Sequence, residues 1–216
     1  MSNERIRTEP RWPAAVALLA IGGLYFALPQ SLIFGPVWLV LLVVGAMTLP
    51  ALISYRIGYW RVSMAFGYGA SIVVTLSVIA SLWLLVSTLP SHKETPQQLL
   101  IAAAALWMAN LLAFATWYWR LDAGGPNQRD LRVSHTDGAF LFPQMMLDPT
   151  LRREMGEDQW SPGFVDYLFL AFNTSTAFSP TDVPVLSRWA KVLMMVQSCI
   201  SLATVALLAA RAVNIL

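Results

Sequence analysis

The sequence predicts an all-α membrane protein with five transmembrane helices and one re-entrant helix. Hydrophobic residues make up 57% of the 216 residues, and charged residues only 12%. No Asp, Glu, Lys or Arg occurs between Arg11 and Arg56, between Arg61 and Lys93, or between Glu94 and Arg120. A helix needs about 20 apolar residues to cross the hydrocarbon core of a bilayer, and these charge-free gaps provide them.

The predicted spans follow from these gaps and from the apolar run near the end of the chain. Pro29, Gly35 and Pro36 interrupt the first gap, which therefore predicts two helices joined by a turn. The other gaps hold one helix each. The predicted spans cover about residues 13–28, 37–53, 64–89, 97–119 and 188–213.

The distribution of positive charge predicts the orientation in the membrane. Lys and Arg are enriched in the cytoplasmic connections of membrane proteins, and here Lys93 is the one cation in a turn on the opposite side. We therefore expect an inner (plasma) membrane protein with a cytoplasmic N-terminus and a cytoplasmic linker. The cations on the predicted cytoplasmic side are Arg5, Arg7, Arg11, Arg56, Arg61, Arg120, Arg129, Arg132, Arg152 and Arg153.

The chain divides into a four-helix region (1–119), a polar linker (120–162) and a C-terminal module (163–216). The linker has too few apolar residues to form a core of its own. Asp148 is predicted to cap a short interfacial helix that begins at Pro149 and stops at Gly156.

No catalytic or metal-binding constellation is evident. Cys199 is the lone cysteine and is predicted to be a buried, inert thiol, while His92 and His135 fall on opposite sides of the membrane and cannot share a metal. Residues 134–137 (Ser-His-Thr-Asp) contain the residue types of a hydrolase triad, but neighbours in sequence rarely converge in that geometry. These residues are therefore expected to form a solvated turn. The sequence thus predicts no enzyme and no cofactor, and the net charge of +2 gives no indication of nucleic-acid binding.

The most informative segment lies between Trp160 and Asp182. Pro162 and Gly163 open a helix that is too short to cross the bilayer before residues 173–176 and Pro180 end it. It is predicted to enter the membrane and turn back within it. Non-helical backbone at membrane depth is tolerated only where it is buried in protein or lines a water-filled cavity. The alternative is a helix on the membrane surface. In either case, the predicted apolar face of the helix comprises Phe164, Leu168, Ala171 and Phe172.

The last predicted span carries polar residues on one face. Gln197, Ser201 and Thr204 follow i, i+4, i+7 spacing and therefore share a side of the helix. A water-facing stripe is one interpretation; close packing of Ser and Thr between helices is the other.

Residues 166–214 resemble the pore helix, filter and inner helix of the potassium-channel superfamily. The re-entrant helix would then be a pore helix, with Ser175-Thr176 before the filter, Asp182 after it, and Arg188-Trp189 leading into the inner helix. The segment is more similar still to an uncharacterised family of bacterial inner-membrane proteins. The shared motifs are Asp166-Tyr167-Leu168, Thr181-Asp182-Val183, Ser187-Arg188 and Val213-Asn214-Ile215.

The filter position departs from the potassium-channel pattern. Residues 177–181 (Ala-Phe-Ser-Pro-Thr) contain no glycine, although a carbonyl-lined filter needs backbone angles that Phe178 and Pro180 oppose. Potassium selectivity is therefore not expected. The predicted orientation also makes the loop enter from the cytoplasm, as in the glutamate-receptor channels.

The sequence thus predicts a homo-oligomer, most simply a tetramer, that conducts small cations across the bilayer. The alternative is a non-conducting membrane protein that uses the pore-loop fold for assembly or sensing. The predicted ion-pathway residues are Thr174, Ser175, Thr176, Ala177, Phe178, Ser179, Pro180, Thr181, Asp182, Gln197, Ser201 and Thr204.

Overall fold

The structure, a computed structural model, describes residues 9–88, 95–132, 135, 137–157, 160–176 and 183–213. These residues form an all-helical fold without a β-strand. The α-helices are α1 (Trp12–Leu24), α2 (Trp38–Ile57), α3 (Trp60–Thr88), α4 (Pro96–Leu121), α5 (Pro126–Arg129), α6 (Pro143–Met146), α7 (Pro149–Glu154), α8 (Phe164–Thr176) and α9 (Arg188–Val213).

Four helices of the described chain are long and apolar enough to cross a membrane. They are Trp38–Ile57, Trp60–Ser87, Pro96–Gly124 and Arg188–Leu207, and they correspond to the second to fifth predicted spans. The first predicted span is shorter, because α1 gives way to a 3₁₀ turn at Tyr25–Ala27. The fold is therefore that of an all-helical membrane protein with at least these four candidate spans.

Local sequence explains where several helices begin and end. Thr95 and Gln98 form a capping box at the start of α4, in which each side chain bonds the backbone N–H of the other. The predicted linker helix is confirmed as α7, since the carboxylate of Asp148 accepts the Thr150 N–H at 2.8 Å. Gly156 follows α7 with a φ of +73°, as expected for a residue that stops a helix.

Helix α4 lies at the centre of the fold. In its most apolar 18-residue stretch, 67% of the helix is buried inside the protein. The corresponding share is 17–33% for the other three candidate spans. One side of α4 shares a core with α1, α2 and α3, to which Leu18, Val44 and Leu106 contribute. The other side shares a core with α8, α9 and the linker, around Phe140 and Tyr167.

Helices α1 and α2 approach each other closely at Gly22. A Cβ atom at this position would lie 2.8 Å from the Cα atom of Leu41, which is closer than real side chains come. Glycine is therefore required here by backbone proximity. Its neighbour Gly23 has free space on the same helix.

The linker is joined to the start of α9 by extended backbone. Phe140 and Val185 form an isolated antiparallel bridge, in which the Leu141 N–H donates to Pro184 at 2.9 Å and the Leu186 N–H donates to Ala139 at 2.8 Å. These two bonds join the linker to the segment that leads into α9.

Candidate ion pathway and two buried polar clusters

Helix α8 starts beside the C-terminal end of α4. The ring of Phe164 packs edge-on against Trp119 at 6.0 Å, and the Tyr167 hydroxyl donates to a carboxylate oxygen of Asp122 at 2.7 Å. The chain is again at this end when it reaches Val185, which pairs with Phe140 beside Tyr167. The segment that contains α8 therefore leaves and returns at the same end of the bundle.

The other end of α8 reaches the middle of its neighbours. Ser175 bonds Gln197 and Ser201, and Thr174 bonds Ser198. These α9 residues lie about 14–20 Å along the helix from Arg188 at a rise of 1.5 Å per residue. A hydrocarbon core is about 30 Å thick. The tip of α8 thus lies about half a membrane thickness from the end at which the segment begins.

Gln197 is the centre of a buried group of hydrogen bonds at this tip, which we call the inner polar cluster. Its side-chain nitrogen donates to the Ala171 carbonyl at 2.8 Å and to the Ser175 hydroxyl at 2.7 Å. Its side-chain oxygen accepts from the Tyr118 hydroxyl at 2.5 Å. The backbone carbonyl of Gln197 accepts from the Asn110 amide at 3.3 Å. This cluster joins α9 to both α8 and α4.

Two serines of α9 extend the inner polar cluster. The Ser201 hydroxyl donates to the Ser175 carbonyl at 2.6 Å and accepts from the Trp107 indole at 3.0 Å. The Ser198 hydroxyl donates to the Thr174 carbonyl at 3.3 Å. The accepting carbonyls belong to the last turn of α8 and have no backbone N–H partner within the helix. The two serine hydroxyls serve as their donors instead.

The structure thus brings together five of the predicted ion-pathway residues and separates a sixth. Thr174, Gln197, Ser201 and Thr204 are buried and Ser175 is half-buried, whereas Thr176 is exposed at the end of α8. The remaining six, Ala177, Phe178, Ser179, Pro180, Thr181 and Asp182, lie outside the described residues.

Within one protomer, the interpretation that the polar face of α9 faces water is wrong. Gln197, Ser201 and Thr204 do share a face, but they are only 0%, 2% and 0% exposed. Gln197 and Ser201 bond α8 and α4, and Thr204 bonds the carbonyls of its own helix. Helix packing, the other interpretation, accounts for this face.

The predicted apolar face of α8 is also partly wrong. Phe164 and Ala171 are buried as expected, but Leu168 is half-buried and Phe172 is 46% exposed. The side that packs on α4 and α9 instead comprises Phe164, Tyr167, Leu170, Ala171 and Thr174. Tyr167 and Thr174 lie there because their hydroxyls find acceptors in Asp122 and in the Leu170 carbonyl.

No known protein family, no curated protein and no solved structure matches this chain. The potassium-channel resemblance of residues 166–214 therefore stays a prediction from the sequence.

A second cluster of polar side chains lies where α4 ends, and we call it the end charge cluster. Arg129 is almost fully buried and donates to the carbonyls of Trp119 and Asp122, at 2.8 and 3.0 Å. It also forms an ion pair with Glu9 at 2.9 Å. Arg11, at the start of α1, forms an ion pair with Asp130 at 2.5 Å. These contacts fix the linker to the first and fourth helices.

Asp122 and His135 complete the end charge cluster. Asp122 is fully buried and accepts from the Ala139 N–H at 2.5 Å as well as from Tyr167. Its carboxylate lies 3.7 Å from the Nε2 atom of His135, too far for a hydrogen bond. Neither ring nitrogen of His135 has a hydrogen-bond partner among the described residues. The ring instead packs edge-on against Phe142 and Trp160.

The expectation of a solvated turn at residues 134–137 is therefore wrong for His135, which is only 2% exposed. Asp137 is exposed as predicted, while Ser134 and Thr136 lie outside the described residues. The apolar run of residues 140–142 (Phe-Leu-Phe) is the sequence signal that could have indicated burial, because it has no place in a fully solvated linker.

Burial alters the proton affinity of two groups in the end charge cluster. Burial raises the pKa of Glu9 above its ordinary value, although Arg129 and the Trp119 indole favour the ionised carboxylate. Burial lowers the pKa of His135, and the nearby Asp122 offsets only part of this effect. Burial thus favours the neutral imidazole of His135.

Three further observations concern Cys199, Trp119 and metal-binding side chains. Cys199 is exposed on the outer side of α9, contrary to the predicted buried thiol. Trp119, near the end of α4, is 2% exposed and donates its indole N–H to Glu9. Among the described residues there is no group of three or more His, Cys, Asp or Glu that could hold a metal ion.

Proposed function

We propose that this protein is an oligomeric, ion-channel-like membrane protein in which α8 is a re-entrant pore helix. The observation that carries the proposal is the path of the segment around α8. It starts beside Asp122, places Ser175 against Gln197 at half depth, and is back beside Phe140 at Val185. In this proposal α1, α2, α3, α4 and α9 are the five spans of an inner-membrane protein whose N-terminus is cytoplasmic.

The end of α8 supports an oligomer. Backbone that leaves a helix at membrane depth must be buried in protein or face water, because lipid offers no hydrogen-bond partners. Thr176 is the last residue of α8 and is exposed in the protomer. Copies of the chain around a common axis would cover this end and enclose a polar path between them, most simply as a homotetramer.

The proposed ion path runs through the segment that follows α8. Residues 177–182 would form its narrowest part, with the hydroxyls of Thr176, Ser179 and Thr181 and the carboxylate of Asp182 facing the ion. A ring of carboxylates favours cations. The inner polar cluster would hold the pore helix in position, so that Gln197 and Ser201 support the path without lining it.

Ion flux into liposomes tests the proposal. The purified protein is reconstituted and assayed under potassium, sodium and chloride gradients, beside empty vesicles. We expect cation flux that Asp182→Asn reduces and whose selectivity Phe178→Gly alters. Asp137→Asn, which changes an exposed carboxylate of the linker, is the matched control and should leave flux unchanged. Absence of flux from a confirmed oligomer at every voltage and pH tried would reject conduction.

A second candidate, a non-conducting protein that uses the same fold for assembly or sensing, is favoured by one observation. The side chains of the polar face of α9 form their hydrogen bonds inside the protomer, with Gln197 and Thr204 fully buried, and therefore do not line a path for ions. The particle mass in mild detergent separates the two candidates. A conducting path between subunits requires a ring of at least three copies, and a monomer or dimer would favour the second candidate.

A further inference from the structure

A cavity lined by two arginines lies between α1, α2, α3 and α4, at the end of the bundle where α4 ends. It measures about 50 Å³. One buried water requires about 10–15 Å³ of cavity volume, so the cavity has room for a group of about three to five heavy atoms. Its polar lining includes Arg11, Arg120, Tyr55, Tyr68 and Asn127.

Arg120 brings an uncompensated positive charge to this cavity. Its Nε atom donates to the Ser71 hydroxyl at 3.1 Å, but no carboxylate of the described residues lies within 4.0 Å of its guanidinium. Arg11, by contrast, is paired with Asp130 at 2.5 Å and with Glu9 at 3.5 Å. Burying an unpaired charge is unfavourable, so an anion in the cavity would stabilise the arrangement.

Helix α3 holds the Arg120 guanidinium in this position. Gly67 faces it so closely that a Cβ atom there would lie 2.1 Å from Nη1 of Arg120. The Tyr68 hydroxyl donates to the Arg120 carbonyl at 3.2 Å, and the guanidinium stacks 5.3 Å from the Trp119 ring. These contacts hold the guanidinium between α3 and Trp119, where Arg120 lines the cavity.

An apolar groove of about 390 Å³ adjoins the cavity and shares Arg11, Leu52 and Tyr55 with it. The groove continues along Leu49 and Ile53, which are 61% and 55% exposed on the outside of α2. Trp12 and Arg56 also line it. A cationic cavity that opens into an exposed apolar groove fits a ligand with an acidic head and an apolar tail.

We propose that the cavity and the groove bind one anionic phospholipid. Its phosphate lies between Arg11 and Arg120, and an acyl chain lies along Leu49 and Ile53. Guanidinium groups bind phosphate oxygens through paired N–H donors. The small cavity accommodates the phosphate group alone, and the groove accounts for the tail, which a free phosphate lacks. This site is separate from the proposed ion path and does not depend on conduction.

Thermal unfolding with added ligands tests the proposal. The full chain, purified in a neutral detergent, is heated with equal concentrations of phosphatidylglycerol, phosphatidylcholine or inorganic phosphate. A ligand that binds the folded state raises the unfolding temperature, so we expect the largest rise with phosphatidylglycerol. Arg120→Gln should weaken phosphatidylglycerol binding about tenfold or more, as expected for the loss of a hydrogen bond to a charged group.

Two further variants make the result decisive. Arg61→Gln removes an exposed arginine at the same end of the bundle but outside the cavity, and should bind as the wild type does. Ala51→Leu fills the cavity without removing a charge and should weaken binding, even if Arg120→Gln does not fold.

Three outcomes would overturn the proposal. An equal temperature rise with inorganic phosphate would show that the site takes a small anion and no lipid. Equal weakening by Arg61→Gln and Arg120→Gln would show general attraction to a basic surface. Unchanged phosphatidylglycerol binding in Ala51→Leu would place the lipid elsewhere.

Discussion

Gln197 of α9 and Ser175 of α8 are joined by a hydrogen bond of 2.7 Å from the glutamine side-chain nitrogen to the serine hydroxyl. This bond lies about half a membrane thickness from the end at which α8 begins. It fixes the tip of a helix that is otherwise tied to the bundle through Phe164 and Tyr167 at its other end.

Gln197→Leu should destabilise the protein by about 2 kcal/mol. The substitution removes three side-chain hydrogen bonds, to Ala171, Ser175 and Tyr118, and such bonds within membranes average about 0.6 kcal/mol each. Unfolding in mixed micelles, followed by tryptophan fluorescence, measures the change. Met195→Leu, at a position 59% exposed on the same helix, is the control and should have little effect. Equal stability of the two variants would contradict the importance of the inner polar cluster.

Thiol labelling should distinguish buried from water-exposed positions around α8. In a Cys199→Ser background, Ser201→Cys should resist a water-soluble thiol reagent, because Ser201 is 2% exposed and bonded to α8. Thr176→Cys should react, since Thr176 is exposed where the proposed path begins. Rapid labelling of Ser201→Cys in the intact protein would show that water does reach the polar face of α9.

Arg129→Ala should be strongly destabilising, by about 3–5 kcal/mol. It removes the shorter of the two ion pairs of the part-buried Glu9, which keeps only Arg11 at 3.5 Å, and it removes one donor from each of two carbonyls. Breaking a buried pair typically costs that much. Unfolding temperature measures the loss. Arg132→Ala is the matched control, because its pair with Asp137 is exposed and should contribute less than about 1 kcal/mol. Similar effects of the two substitutions would argue against a structural role for the end charge cluster.

Gly22→Ala should destabilise the protein, whereas Gly23→Ala should not. An added Cβ at Gly22 would force α1 away from the Leu41 backbone, and overpacking of this kind costs about 1–3 kcal/mol. At Gly23 the methyl group enters free space, and alanine favours the helix by up to about 1 kcal/mol. A comparison of the two unfolding temperatures checks the contact. It would be refuted if Gly22→Ala were as stable as Gly23→Ala.

Stability should fall as the pH is lowered below about 6.5, the ordinary pKa of histidine. Because the pKa of His135 is lowered in the fold, the unfolded chain takes up a proton in this range before the folded chain does. The charged groups that act on it are Asp122, Arg129, Arg132 and Asp137. His135→Phe keeps an aromatic ring in place and should flatten this part of the pH dependence.

Two controls isolate the effect of His135. Glu9 acts in the opposite direction, because its raised pKa lets the folded state bind a proton more readily as the pH falls toward 4.5. The wild type must therefore be compared with the variant at each pH. Phe142→Leu, which disturbs the same packing without removing a titrating group, should lower stability at all pH values alike. A pH dependence unchanged in His135→Phe would exclude this histidine as its cause.

Much of the helical layout could be predicted from the sequence because it depends on local patterns. Charge-free gaps indicated the long helices, and Asp148 with Pro149 indicated the short helix α7. The spacing of Gln197, Ser201 and Thr204 correctly put them on one face. These are properties of a chain of 10 to 30 residues, for which composition and periodicity are sufficient.

The direction in which polar residues face could not be predicted in the same way. Gln197 is buried because α8 presents carbonyl and hydroxyl groups to it, and His135 is buried because Phe142 and Trp160 enclose it. Such partners are brought together by packing between distant parts of the chain. A polar stripe on one helix does not by itself distinguish water from another helix, and a short polar linker does not reveal a buried ring.

The bridge between Phe140 and Val185 has a consequence for how the chain is made. In the proposed re-entrant arrangement, the chain from Asp122 to Ser187 begins and ends on one side of the bundle, so the parts of it outside the membrane would need no translocation through the bilayer. In that arrangement α8 would be inserted from the side of the membrane at which α4 ends, after α4 itself is in place. Biogenesis of this module would therefore depend on late docking of α8 between two neighbouring helices and would require no additional translocation step.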